Sequence, residues 1–129
     1  MSELLLDTHA LLWLLLQPAL LSDGAADAIR GAATLRASAA TVFEIATKYR
    51  VGKLPQAQPL LALGWPALAA QYGIAVVPVT ADDAHYAGVH PSPHRDPWDR
   101  LIAAQAARRS LPVVSSDAAL DTFPVTRVW

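Results

Sequence analysis

The chain has 129 residues, with ten Lys and Arg against eleven Asp and Glu, and it has no cysteine. This length suits one domain with its own hydrophobic core, and the lack of cysteine excludes disulfide scaffolds, zinc–thiolate sites, iron–sulfur clusters and thiol catalysis. The near-balance of charge excludes the strong overall basic field on which non-specific nucleic-acid binders rely. We therefore expect a single domain over residues 1–129.

Strand and helix patterns alternate along the chain. In chain order they predict strand 3–6, helix 8–17, helix 22–31, strand 34–37, helix 39–50, helix 60–71 with a break at 64–66, strand 74–79, helix 80–86, helix 97–109, strand 112–115, a helical turn at 118–122 and strand 125–128. Such alternation places helices on both faces of a sheet. The predicted fold class is therefore a three-layer α/β/α domain with a central, mostly parallel sheet.

Four acidic residues stand at or near the junctions of these elements. Asp7 directly follows the first predicted strand, and Asp117 follows the fourth. In open α/β sheets the carboxyl ends of the strands are where ligands bind. Glu44 and Asp99 lie early in helices within apolar stretches, where a carboxylate is costly unless it is hydrogen-bonded, exposed or bound to a metal. We predict that all four carboxylates belong to one site.

A cluster of four carboxylates needs a cation at neutral pH, because the like charges repel one another. Oxygen ligands of this kind suit a hard divalent ion, so the predicted cofactor is Mg²⁺, with Mn²⁺ as the alternative. Each acid alone also has a structural explanation. Asp7, Asp96 and Asp117 can cap the helices that follow them, and Thr41 with Glu44 matches a capping box.

Five segments, in order over nearly the whole chain, carry a further signal. They are residues 4–13 (LLLDTHALLW), 38–48 (SAATVFEIATK), 52–54 (GKL), 94–105 (HRDPWDRLIAAQ) and 113–117 (VVSSD). In this combination the sequence resembles the PIN-domain ribonucleases, in particular their VapC toxin-like branch.

The resemblance implies a metal-dependent endoribonuclease that is the toxin of a type II toxin–antitoxin pair, held inactive by a VapB-like antitoxin. It matches the family's four catalytic and metal-binding acids, in turn, to Asp7, Glu44, Asp99 and Asp117. Asp96 is a helix cap, a hydrogen-bonding support for the ligands or a further metal ligand.

Other polar residues near these motifs are given supporting roles. Ser115 matches the small hydroxyl residue two positions before the last acid and would orient the metal or its water. Thr8 is a second supporting residue, and His9 either touches the site or satisfies a backbone carbonyl of the first helix. The residues that we expect to contact RNA phosphates, unless they are simply solvated surface cations, are Lys48, Arg95 and Arg100.

The composition also bears on partners and location. Hydrophobic residues make up 53% of the chain and charged residues only 16%, which predicts more apolar surface than one core hides. We expect a homodimer as well as the antitoxin and RNA partners. The N-terminal residues lack a signal-peptide pattern and the apolar run 10–16 is too short to cross a bilayer, so we expect a cytoplasmic protein without membrane contact.

Rival functions fit the sequence less well. A haloacid dehalogenase-type phosphatase needs a second acid two residues after the first, where this chain has His9. Serine-nucleophile, phosphate-loop and dinucleotide glycine motifs are absent. The main alternative is a PIN-fold module that is catalytically weak and serves as an RNA- or protein-binding regulator.

Overall fold

The computed structural model describes residues 2–129, which form five strands and seven α-helices. The strands are β1 (Ser2–Leu6), β2 (Ala32–Ser38), β3 (Ile74–Val77), β4 (Val113–Val114) and β5 (Arg127–Val128). The α-helices are α1 (Thr8–Leu16), α2 (Asp23–Gly31), α3 (Ala39–Arg50), α4 (Gln58–Leu63), α5 (Trp65–Tyr72), α6 (Ala81–Val89) and α7 (Pro97–Arg109). Short 3₁₀ segments occupy Pro18–Leu20, Pro55–Ala57 and Ala118–Thr122.

The five strands form one parallel sheet in the order β3-β2-β1-β4-β5. β1 is central, and the backbone N–H of Asp7 donates to the carbonyl of Val114 at 3.1 Å just where β1 and β4 end. All carboxyl ends therefore meet at one edge of the sheet. The predicted α/β class with a parallel sheet is confirmed.

Alternating side chains of β1 supply two hydrophobic cores, one on each face of the sheet. Leu4 and Leu6 pack into the core that includes Leu11 and Ile45, whereas Leu5 packs on the opposite face with Ile102 of α7. This follows from the twofold alternation of side chains along a strand. Helices cover both faces, as the alternating sequence pattern predicts.

Most element boundaries match the sequence patterns within a few residues. The predicted helix at 60–71 is divided into α4 and α5 at Gly64, whose φ of 86° is in the left-handed region that favours glycine. β3 ends at Val77, two residues earlier than predicted, because Pro78 has no N–H for the ladder. β5 is confined to its last two predicted residues.

The capping-box interpretation of Thr41 and Glu44 is wrong. α3 begins at Ala39, and its N-cap is Ser38, whose hydroxyl accepts from the N–H of Ala40 at 3.0 Å. Glu44 thus lies in the second turn of α3, where no orphan N–H needs its carboxylate. Its position calls for a different explanation.

An ion-pair cluster centred on Asp83 joins α6 to α7. The Asp83 carboxylate is fully buried and accepts hydrogen bonds from Arg108, from Arg109 at 2.9 and 3.0 Å, from Gln105 at 3.3 Å and from the Thr80 N–H at 3.1 Å. Burial alone would raise the pKa of Asp83, but these donors hold it well below its usual range. The cluster fixes the helix that carries Asp99.

None of the helices within residues 2–129 combines the length and the apolar character needed to cross a membrane.

We predict that Asp83→Asn lowers the free energy of unfolding at neutral pH by about 2–4 kcal/mol, because it leaves two guanidiniums without their carboxylate. The contribution of a carboxylate with a depressed pKa is fully present above its unfolded pKa of 3.8, and it is lost as the pH falls below that value towards the lower pKa of the folded protein. The difference between wild type and variant should therefore shrink on acidification in urea unfolding.

Asp82→Asn is the matched control, because the neighbouring Asp82 side chain is 85% exposed. An Asp83→Asn protein as stable as the Asp82→Asn protein would contradict the structural role of the cluster.

Candidate active site

Asp7 directly follows β1, and Asp117 lies three residues after the neighbouring strand β4. Asp7 is 5% exposed and caps α1, with its Oδ1 accepting from the N–H of Ala10 at 2.8 Å. Asp117 caps the 3₁₀ segment, with its Oδ1 accepting from the Ala119 N–H at 3.0 Å. Both acids are therefore helix caps, yet each has a second oxygen that no cap uses.

The pKa of Asp7 is raised above its ordinary value. Burial is the main cause, and the negative charge of Asp117 adds to it. Hydrogen bonds from Ser115 and from the N–H of Ala10, together with the charge of His9, oppose the rise. The effect of Asp117 on Asp7 places the two carboxylates in one electrostatic cluster.

Ser115 ties these two acids together from a fully buried position. Its hydroxyl accepts from the backbone N–H of Asp117 at 3.0 Å and lowers the pKa of Asp7. This is the placement expected for a residue that orients the ligands.

Asp99 enters the cluster from the first turn of α7. Burial, then the charges of Asp96 and Glu44, raise the pKa of Asp99 to about 7, with Asp7 adding to the rise and His94 opposing it. Asp96 caps α7, its Oδ1 accepting from the Asp99 N–H at 3.1 Å. The Asp99 carboxylate at the start of α7 is therefore fully charged at neutral pH only when a positive charge lies next to it.

Glu44 reaches the cluster from α3 but has partners of its own. It is 2% exposed, its Oε1 accepts from the Thr8 hydroxyl at 2.6 Å, and its Oε2 pairs with Lys48 Nζ at 2.6 Å. The Thr8 hydroxyl also lies 3.0 Å from that of Thr41. Thr8 thus holds the Glu44 carboxylate, and Glu44 acts on Asp99 through its charge.

His94 lies between two of the acids, which the sequence patterns did not predict. Its Nε2 is 3.1 Å from Asp117 Oδ2 and 3.4 Å from Asp99 Oδ2. Because the Asp96 N–H donates to Nδ1 at 3.3 Å, the proton of the neutral ring is on Nε2 and points at the two carboxylates. The ring therefore offers partial positive charge where the acids crowd together.

The donor set suits a divalent cation. Ligand atoms of His94, Asp99 and Asp117 lie within 4.8 Å of one another. Asp7 is outside this group, although its charge raises the pKa of Asp99. Carboxylate oxygens are the ligands that Mg²⁺ and Mn²⁺ prefer. The residues present thus fit the predicted metal.

The predicted phosphate-binding cations have different environments. Lys48 pairs with Glu44, and its Nζ lies 5.9 Å from the centre of the Trp98 ring. Arg95 is exposed at the start of α7, and His9 is exposed with its ring 5.7 Å from that of Trp13. Lys48 and Arg95 thus remain predicted RNA contacts, whereas His9 lies beside the site and influences Asp7 by charge.

Arg100 has another role than the predicted phosphate contact. Its guanidinium donates to four backbone carbonyls at 2.6–2.9 Å, namely those of Ala87, His90, Ser92 and His94. A guanidinium has five N–H donors, and these bonds use most of them. Arg100 therefore holds the loop that presents His94.

The sequence patterns missed the part that His94 plays because its ring reaches Asp117 across 23 residues of chain. The available signal was weak: a histidine two residues before a capping aspartate. Thr41 was noticed only as a cap, although it supports Thr8 from inside α3.

Comparisons with known proteins agree with this geometry. The PIN domain family model matches residues 4–125. Ribonuclease VapC22 of Mycobacterium tuberculosis is 34% identical, covering all of both chains. The fold is similar to VapBC2 of Rickettsia felis bound to a promoter DNA fragment (TM-score 0.69, 14% identity, 98% and 97% of the two chains). It is also similar to VapC20 of M. tuberculosis, a toxin that cleaves the sarcin-ricin loop (TM-score 0.59, 17% identity, 92% of each chain).

Asp99→Asn is expected to stabilise the metal-free protein at pH 8. Between the ordinary pKa of 3.8 and about 7 the unfolded chain loses a proton that folded Asp99 keeps, so stability falls as the pH rises through that window. Removing the charge should raise the free energy of unfolding by about 2 kcal/mol. This is roughly half the free energy that corresponds to the full pKa difference, because solvent screens a side chain that is a quarter exposed.

Thermal unfolding in EDTA checks this expectation, with Asp23→Asn in the exposed first turn of α2 as the control. A lower melting temperature for Asp99→Asn than for the control in EDTA would contradict the claim that the charge of Asp99 destabilises the metal-free protein. Mn²⁺ should raise the melting temperature of the wild type more than that of the variant.

Arg100→Lys should lower the free energy of unfolding by about 2–4 kcal/mol, because an ammonium cannot reach four carbonyls at once. Arg95→Lys, an exposed neighbour, should change it by less than about 0.5 kcal/mol. Urea unfolding of both variants measures the difference. Equal stabilities would show that the Arg100 contacts carry little weight.

Proposed function

The chain belongs to the PIN domain family, and from that premise we propose that it is a metal-dependent endoribonuclease that hydrolyses RNA phosphodiester bonds. The observation that carries the proposal is that Asp99 and Asp117 come within 4.8 Å of each other from separate elements, with Asp7 near enough for its charge to raise the pKa of Asp99. A structural explanation by helix capping accounts for one oxygen of Asp7 and one of Asp117, and it leaves the clustering unexplained.

Asp7, Asp99 and Asp117 would hold Mg²⁺ or Mn²⁺, with Glu44 beside them and Asp96 supporting Asp99 from the cap of α7. The bound ion would supply a lowered pKa for an attacking water and charge neutralisation at the phosphate.

The chain's own residues position these ligands. The N–H of Ala10 donates to the Asp7 carboxylate, and the Ser115 hydroxyl accepts from the backbone N–H of Asp117. Thr8 and Lys48 hold the Glu44 carboxylate in one orientation. The carboxylates of Asp7, Asp117 and Glu44 thus accept hydrogen bonds before an ion arrives, and this preorganisation lowers the cost of binding.

Lys48 and Arg95 are the cations that we expect near the RNA backbone. Lys48 lies on α3 beside Glu44, and Arg95 precedes α7. Two cations give a weak electrostatic grip, so recognition would depend on RNA shape and unpaired bases.

The toxin role and the partners rest on the relatives. Ribonuclease VapC22 covers the whole chain, and the R. felis neighbour is a VapBC complex. We propose that this chain pairs with a VapB-like antitoxin, forms a homodimer and acts in the cytoplasm as a single PIN domain over residues 1–129. An apolar groove of about 690 Å³ beside α3, with Phe43 63% exposed at its rim, provides surface for a protein partner.

A second candidate function is a catalytically weak binding module. The observation that favours it is His94, whose N–H hydrogen-bonds Asp117 and lies 3.4 Å from Asp99 without a metal. The two functions differ in whether RNA is cut or only bound.

The test is incubation of the purified protein with mixed tRNA and ribosomal RNA in Mg²⁺ or Mn²⁺. Discrete cleavage should disappear in EDTA, and Asp7→Asn should lower its rate by about 100-fold or more. Asparagine caps helices as well as aspartate does, so α1 should remain intact. Asp27→Asn, an exposed acid on α2, should cut like the wild type.

Cleavage that persists in EDTA or in Asp7→Asn would contradict the carboxylate–metal mechanism. RNA binding without cleavage by antitoxin-free, metal-loaded protein would favour the binding module.

A further inference from the structure

A second cavity, of about 290 Å³, lies directly beside the carboxylate cluster, between α1 and the segment that follows α3. We name it the side pocket. The lining residues used below are Thr8, Trp13, Gln17, Lys48, Lys53 and Gln56. Its volume is near the lower end of ligand sites, which suits a single small group.

The side pocket shares two of its walls with the site. Thr8 donates to Glu44 at 2.6 Å, and Lys48 pairs with the same carboxylate at 2.6 Å. A phosphodiester at the acids would therefore have a neighbouring nucleotide within reach of the pocket. The side pocket therefore borders the Glu44 carboxylate of the candidate site.

The lining chemistry matches a nucleobase. Trp13 is half-buried and held between His9 and Trp129, with ring centroids 5.7 and 5.5 Å away. Bases stack on such fixed aromatic rings. Gln17 and Gln56 are exposed amides, each with donors and an acceptor that can read the edge of a base.

The charge of the pocket favours RNA over a basic protein segment. Its lining contains Lys48 and Lys53 and no Asp or Glu. Lysines suit a phosphate next to the base, and a cationic side chain would meet no carboxylate within the lining. An acidic peptide is the remaining competitor, but it would make little use of the aromatic ring and the two amides.

We propose that the side pocket binds one unpaired nucleobase of the RNA next to the bond that is cut. This rests on the proposed ribonuclease function and adds a specificity site to it. Trp13 stacks on the base, Gln17 and Gln56 contact its edge, and Lys53 contacts a phosphate.

The binding test uses the four nucleoside 5′-monophosphates and NMR of the whole protein. The indole signal of Trp13 and the side-chain amide signals of Gln17 and Gln56 should shift, whereas those of Trp65 and Gln71 should not. Ribose 5-phosphate, which lacks the base, should leave the Trp13 signal in place.

Three results would overturn the proposal: equal shifts with ribose 5-phosphate, nucleotide shifts confined to Trp98, or no nucleotide shift where a short acidic peptide rich in Glu and Leu shifts the Trp13 signal. The last would assign the pocket to a protein segment.

The cleavage test uses the combined Gln17→Ala and Gln56→Ala variant on an RNA that the wild type cuts. Its KM should rise about tenfold with kcat retained. An RNA with an abasic nucleotide beside the cut bond should raise the KM of the wild type by a similar factor. Gln58→Ala combined with Gln71→Ala is the matched control.

If the KM of the variant is unchanged, and the wild type cuts the abasic RNA with the same KM, base binding in the side pocket is refuted while the ribonuclease function stands. Failure of the wild type to cut any RNA would instead refute the proposed function, and the NMR test would still decide what the pocket binds.

Discussion

Repulsion among carboxylates is the constraint on which the site depends. The parallel sheet brings the ends of β1 and β4 together, and α3 and α7 add acids at the same edge. The pKa of Asp99 rises to about 7 and that of Asp7 also rises, mainly through burial and then through neighbouring negative charge. A fold that only needed helix caps would not gather charges in this way, because the crowding opposes folding above pH 7.

The surrounding residues hold that unfavourable arrangement in place. Asp83 binds α6 to α7 from the far side, and Arg100 fastens the loop that carries His94. The ring of His94 meets Asp99 and Asp117 with an N–H. These contacts of α7 thus offset the repulsion that Asp99 suffers in the first turn of the helix. Functional sites are typically held in unfavourable arrangements by the structure around them.

The sequence predicted what depends on local pattern. Asp7 and Asp117 each follow a predicted strand, which located the edge of the sheet that carries the site. The alternation of strands and helices predicted the α/β class. Long-range side-chain geometry was beyond such patterns. His94 reaches Asp117 across 23 residues, and the Asp83 cluster joins residues 22 to 26 positions apart. The capping box at Thr41 failed because a competing cap, Ser38, starts α3 three residues earlier.

The most direct measurement is anomalous diffraction from crystals of the protein soaked in Mn²⁺. We expect one or two manganese peaks bound by Asp7, Asp99 and Asp117, in contact with carboxylate oxygens that no helix cap uses. Crystals that take up Mn²⁺ elsewhere, or none, with His94 still hydrogen-bonded to Asp117, would contradict the claim that this cluster is a metal site.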